Sequence, residues 1–82
     1  MKYFGGCDVG STYTKCVIVN EKGEMVSDVT IRSRINSEIS AKEALDQAVA
    51  KVDGLSSIGD LTYLIGTGYG RNKVPQAQEN IS

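Results

Sequence analysis

The spacing of apolar and polar positions along this chain changes character twice. Residues 3–9 alternate loosely, and Thr14-Lys15-Cys16-Val17-Ile18-Val19 is a β-branched, apolar run. Both read as strands. Glu24 to Ile31 alternates, with Met25, Ser27, Val29 and Ile31 on one face and Val26, Asp28 and Thr30 on the other. A period of two predicts a half-buried strand. Gly10-Ser11-Thr12-Tyr13 and Asn20-Glu21-Lys22-Gly23 are short polar turns between these runs. The first three strands therefore form an antiparallel meander joined by tight hairpins.

After a polar connector over 32–37 the period lengthens. Ala41, Ala44, Leu45, Ala48, Val49 and Val52 recur at three and four, a narrow Ala-rich stripe on a helix that can lie close to a sheet. Ser40 and Glu43 have capping-box spacing, and Gly54 stands where a C-cap belongs. Residues 55–60 read as a loop. Leu61-Thr62-Tyr63-Leu64-Ile65 then predicts a central or parallel strand. Asn72 to Ser82 predicts a second helix, with Pro75 tolerated in its first turn. The order is βββαβ(α), an α/β arrangement on a mixed sheet. A right-handed crossover puts strand four parallel to strand one. The two glycine clusters, at Gly5, Gly6 and Gly10 and at Gly66, Gly68 and Gly70, then fall near one carboxyl edge. Open α/β sheets bind ligands there.

Composition narrows the function. The 82 residues are 40% hydrophobic and 23% charged, which suits one small globular domain over 1–82. A net charge of −1 argues against a nucleic-acid partner. No apolar run approaches the ~18 residues of a membrane span, and no secretory core follows Met1-Lys2-Tyr3-Phe4. The chain has no His, which excludes Ser-His-Asp catalysis and His-ligated metal. Cys7 and Cys16 make neither a disulfide framework nor a zinc quartet, and read as small buried hydrophobes.

The candidate chemistry sits in two loops. The turn Gly10-Ser11-Thr12-Tyr13 can aim several N–H groups at one anion, with the Ser11 and Thr12 hydroxyls as further donors and Lys15 as a nearby positive charge. Asp8 would repel a phosphate directly and makes sense beside one when Mg²⁺ or its water lies between them. Together they suggest a Mg-nucleotide. A plain hairpin with Asp8 capping it accounts for the same residues. The pattern G-x-x-x-x-G-K-[ST] is absent, so this is no P-loop. Gly66-Thr67-Gly68-Tyr69-Gly70 follows a strand, but Arg71 occupies the place of a dinucleotide motif's third glycine. This loop reads instead as facing a substrate or partner. Gly68 allows close approach, and Arg71 can pair with a phosphate or carboxylate or remain a surface charge.

Gly6-Cys7-Asp8-Val9-Gly10-Ser11-Thr12-Tyr13-Thr14-Lys15-Cys16 resembles the first phosphate motif of the actin-like ATPase superfamily, which has a ribonuclease H-like fold and includes actin and sugar kinases. With Thr67-Gly68-Tyr69-Gly70-Arg71-Asn72, it resembles the BadF/BadG/BcrA/BcrD type within that superfamily. These are activators of 2-hydroxyacyl-CoA dehydratases and ATPase subunits of benzoyl-CoA reductase. Cys7 departs from the aliphatic residue expected there.

The resemblance implies a cytoplasmic homodimer binding ATP and Mg²⁺, with a [4Fe-4S] cluster shared across the dimer. Hydrolysis would drive low-potential electron transfer to a dehydratase or reductase partner. Asp8 would be the catalytic residue on the Mg²⁺ side. Gly10, Ser11, Thr12, Tyr13, Lys15, Gly68 and Arg71 would face the nucleotide. No cluster ligand carries over to Cys7 or Cys16. The chain resembles about the first third of such a protein, so the 82 residues alone are expected to be inactive. A sugar or acyl kinase segment shares the first motif, but the second loop lacks the carboxylate a kinase base needs. A non-catalytic binding or assembly module is a third reading.

Overall fold

The computed structural model describes residues 1–68 and 74–81. Its strands are β1 (Tyr3–Val9), β2 (Tyr13–Asn20), β3 (Met25–Arg32), β4 (Tyr63–Gly68) and β5 (Glu79–Ile81). One helix, α1 (Ser37–Ala50), and a 3₁₀ turn, Ile58–Asp60, lie between β3 and β4. The sheet order is β3-β2-β1-β4-β5. As expected, β1, β2 and β3 form an antiparallel meander and β4 lies parallel to β1.

Both hairpins follow from their turn residues. Asn20 accepts from the Lys22 and Glu24 amides through Oδ1, and Gly23 sits at φ +81°, which costs a glycine little. In the turn from β1 to β2, the Gly10 N–H donates to the Tyr13 carbonyl at 3.0 Å. A Cβ on Gly10 would lie 2.7 Å from that same oxygen, so the turn requires glycine on steric grounds.

The period-two alternation sorts the sheet into two faces. Cys7, Val9, Thr14, Cys16, Ile18, Ser27 and Val29 point to the side covered by α1 and are buried. There they meet Ala41, Ala44, Leu45, Ala48 and Val49. The Ser27 hydroxyl donates to the Ala48 carbonyl at 2.8 Å, tying the small-residue stripe to β3. Val17, Val26, Tyr63 and Ile65 point to the other face and are exposed.

The helix ends differ from their predicted positions. Asn36 is the N-cap, with Oδ1 accepting from the Glu38 and Ile39 amides. Ser40 is wholly buried one turn inside, where its hydroxyl donates to the Asn36 carbonyl and accepts from the Arg34 amide. Glu43 makes a two-pronged ion pair with Arg34 instead of closing a capping box. That guanidinium holds the Glu43 carboxyl below the usual carboxylate range. The C-cap is Lys51, not Gly54. Gly54 is small for another reason: a Cβ there would lie 2.7 Å from the Tyr3 hydroxyl.

The second predicted helix is overturned. Residues 74–81 turn at Val74–Ala77 and then form β5, parallel to β4 with Ile65 opposite Glu79 and Thr67 opposite Ile81. Asn80 bonds both the Val74 N–H and its carbonyl. Val74 is thereby buried over Gly66, where a Cβ would lie 2.6 Å from the Val74 Cβ and would meet Asn80 Oδ1 as well. Local helix propensity is a weak preference, and these tertiary contacts override it.

Two substitutions test this account. Asn36→Ala should lower stability by about 1 kcal/mol in urea unfolding, the ordinary cost of a lost N-cap. Gly66→Ala should cost about 1–3 kcal/mol, because rigid neighbours and not a flexible side-chain end stand in the way.

Candidate functional site

Parallel pairing of β1 with β4 places Val9 opposite Gly68, so the two glycine-containing segments end at one edge. One residue earlier, the pairings run across all five strands. Thr30 is opposite Lys15, Lys15 opposite Asp8, Asp8 opposite Thr67 and Thr67 opposite Ile81. Successive strands paired at one level send their side chains to the same face. This row lies on the face away from α1, just below the Gly10–Tyr13 turn.

Asp8 and Lys15 are exposed and face one another across the ladder. The ion pairs among the described residues are Arg34–Glu43 and Lys42–Asp46, so Asp8 and Lys15 do not neutralise each other by direct contact. Below them a shallow concavity of about 280 Å³ is lined by Gly6, Cys7, Asp8, Lys15, Val17, Ile65 and Thr67. Its floor exists because Gly6, opposite both Val17 and Ile65, carries no side chain. A Cβ there would meet Val17 Cγ2 at an ordinary 3.6 Å. Glycine at this position thus leaves open space and does not relieve a clash.

The turn above is braced by a residue that the sequence reading assigned only to a polar connector. Ser33 donates its hydroxyl to the Gly10 carbonyl at 2.7 Å and its amide to the Thr12 carbonyl at 2.8 Å. Its Oγ also lies 2.8 Å from Thr14 Oγ1, which is buried. Three contacts from one serine fix the turn from behind. Ser11, Thr12 and Tyr13 are left exposed at its tip. A serine just past the end of β3 carries no distinguishing pattern, so only the β2–β3 register could have pointed to it.

Asp8, Gly10, Ser11, Thr12, Tyr13 and Lys15 therefore cluster at one edge, and Gly68 ends the adjacent strand there. Arg71 lies outside the described residues. The donor chemistry fits Mg²⁺ bound with phosphate, which keeps several waters and needs only one or two carboxylates. Asp8 is one such carboxylate, exposed at this edge. An iron–sulfur cluster does not fit Cys7 and Cys16. Both are buried on the helix side, and the Cys16 thiol is directed at Cys7 Sγ at 2.8 Å. That contact, together with burial, pushes the Cys16 thiol well above the usual range. Among the described residues no helix is long and apolar enough to cross a membrane.

A mixed five-stranded sheet with this strand order and one helix has the fold of the actin-like ATPase and sugar-kinase class. A gluconate kinase from Lactobacillus acidophilus superposes with a TM-score of 0.60 at 22% identity over 82% of this chain and 15% of that one, a likeness of fold alone. The chain itself belongs to the BadF/BadG/BcrA/BcrD ATPase family, whose model matches residues 6–82. It is 35% identical over 80 residues to an activator of lactoyl-CoA dehydratase from Anaerotignum propionicum, covering 98% of this chain and 30% of that protein. It also resembles the solved activator of the 2-hydroxyisocaproyl-CoA dehydratase from Clostridium difficile with bound ADPNP. That match has a TM-score of 0.79 and 32% identity over 98% of this chain and 29% of that one. The chain thus spans about 30% of the length of these relatives.

Removing the Ser33 brace tests whether the turn depends on it. Ser33→Ala leaves the buried Thr14 hydroxyl without this partner and should cost about 1–3 kcal/mol in denaturant unfolding. An unchanged midpoint would mean that the turn holds its shape unaided.

Proposed function

We propose that this chain supplies the first phosphate-binding loop, and one wall, of an ATP site. The observation that carries the reading is the row Lys15–Asp8–Thr67 beneath the braced Gly10–Tyr13 turn, at the carboxyl edge of two parallel strands. The ATPase family and the relative solved with ADPNP support it.

In this reading the exposed tip, Ser11 and Thr12, donates to the nucleotide's phosphates through hydroxyls and backbone amides. Lys15, on the strand leaving the turn, sets a positive charge toward the same oxygens. Asp8 faces that site as an acceptor and would hold water carried by a bound Mg²⁺. Mg²⁺, when bound with ATP, offsets phosphate charge that Asp8 alone would repel. Gly68 lets the backbone of the adjoining strand approach closely, and Arg71 adds a second cation. Tyr13 closes the turn through its carbonyl.

For the whole protein we propose ATP-dependent activation of a CoA-thioester dehydratase. Its hydrolysis would energise a low-potential electron transfer, as a homodimer in the cytoplasm. The activators named among its relatives support the dehydratase partner over the benzoyl-CoA reductase partner. Cys7 and Cys16 hold no cluster in this scheme. Residues 1–82 act here as a single unit carrying one side of the nucleotide site, and by themselves would not turn over ATP. The kinase reading is the less favoured one, because the 66–71 segment offers Tyr69 and Arg71 but no carboxylate to serve as a substrate base.

Thermal melts of the 82-residue chain with nucleotide test the reading. Ligand at ten times its dissociation constant stabilises the folded state by about 1.4 kcal/mol, or about 6–11 °C for a domain this size. MgATP should raise the melting temperature, and Lys15→Ala should abolish the rise. Asp8→Asn should erase the difference between ATP with and without Mg²⁺. A wild-type chain whose melting temperature ignores MgATP up to solubility would favour the non-catalytic module.

A further inference from the structure

Cys7 and Cys16 are not used by the proposed ATP site. They are direct partners in the β1–β2 ladder. The Gly10 N–H to Tyr13 carbonyl bond marks Gly10–Tyr13 as a hydrogen-bonded pair. Antiparallel ladders alternate, so Asp8–Lys15 is again hydrogen-bonded, and Cys7–Cys16 falls on a non-hydrogen-bonded pair. Such pairs have Cα atoms about 4.5 Å apart, with side chains at their closest. That separation falls within the Cα range of disulfides, roughly 4.4–6.8 Å. The two sulfurs are 2.8 Å apart, closer than ordinary van der Waals contact, and both thiols are free. Burial of both side chains shields them from bulky reagents and from other protein molecules.

We propose that Cys7 and Cys16 form a reversible oxidation site, closed by a small peroxide into an intramolecular disulfide between β1 and β2. One sulfur attacks a peroxide oxygen, the O–O bond breaks, and water leaves as a sulfenic acid forms. The second sulfur attacks the first, the S–O bond breaks, and a second water leaves. Two thiols lose two electrons and two protons, and the peroxide is reduced to two waters. The neighbouring thiol captures the sulfenic acid before further oxidation, because the two sulfurs already touch. The link ties together the strands whose next residues, Asp8 and Lys15, occupy the opposite face. It belongs to the core of the sheet and does not depend on what binds at that edge.

The test treats the folded chain with hydrogen peroxide, quenches it, and unfolds it in guanidinium with an alkylating agent. The expected product is a monomer lighter by two hydrogens, with no alkylated cysteine and a peptide linking Cys7 to Cys16. Dithiothreitol should restore two alkylatable thiols. Cys16→Val, close in volume to the native residue, should give no such product. Cys7→Val is the companion control should the first variant fail to fold. Two alkylatable thiols after peroxide treatment would overturn the proposal. So would covalent dimers, or addition of two or three oxygens to either sulfur.

Discussion

Parallel pairing of β1 with β4 is the constraint from which the candidate site follows. It requires a crossover from one edge of the meander back to the middle of the sheet, and α1 supplies it with a stripe of three alanines, Ala41, Ala44 and Ala48, beside Leu45 and Val49. Small side chains let the helix lie close, and Ser27 ties it down through the Ala48 carbonyl. Gly5 on β1 makes room for leucines in and just before the incoming fourth strand: a Cβ there would lie 2.9 Å from Leu64 Cδ1 and 3.1 Å from Leu61 Cδ1. Were β4 antiparallel to β1, the 66–68 segment would end at the opposite edge, far from Asp8. Parallel pairing instead brings Thr67 beside it.

Alternation along β1 and β2 then divides labour between neighbouring residues. Cys7 and Cys16 fill the dry face beneath α1, while Asp8 and Lys15, one residue on, stand in water at the open edge. A slip of one residue in either strand would exchange the sets, burying charges and exposing thiols. Burying an unpaired carboxylate or ammonium is costly enough that register here is strongly specified. The charges that the proposed function uses at this edge thus also help keep the core correctly assembled.

Much of this was legible in the sequence because period-two and helical patterns report burial directly. The meander, the helix stripe and the parallel fourth strand all follow from apolar spacing plus the handedness of crossovers. Helix ends were less legible. Ser40 and Glu43 have the spacing of a cap, but the burial of Ser40 and the Arg34 partner of Glu43 are tertiary facts. The last segment misled most, since Pro75 and the polar residues after it suit a helix start. The competing signal was Gly66 within an apolar strand, which marks close approach of another backbone. Val74, held over it by two bonds from Asn80, is that approach. Of the candidate site, the residues of the first loop could be read from composition, whereas Ser33 could not. Its role depends on β3 ending beside the turn, a consequence of register and not of motif.

The serine behind that turn matters to any anion in front of it. A tight turn exposes carbonyl oxygens as well as amides, and an unpaired carbonyl near a phosphate opposes binding. Here the carbonyls of Gly10, Thr12 and Tyr13 accept from the Ser33 hydroxyl, the Ser33 amide and the Gly10 amide respectively. With three of the turn's four carbonyls occupied internally, the exposed tip offers solvent mainly the positive ends of its dipoles and the Ser11 and Thr12 hydroxyls. A chain without histidine can still present a donor-rich surface this way, by spending most of the turn's acceptors internally and leaving one lysine and one carboxylate to set the charge at the edge.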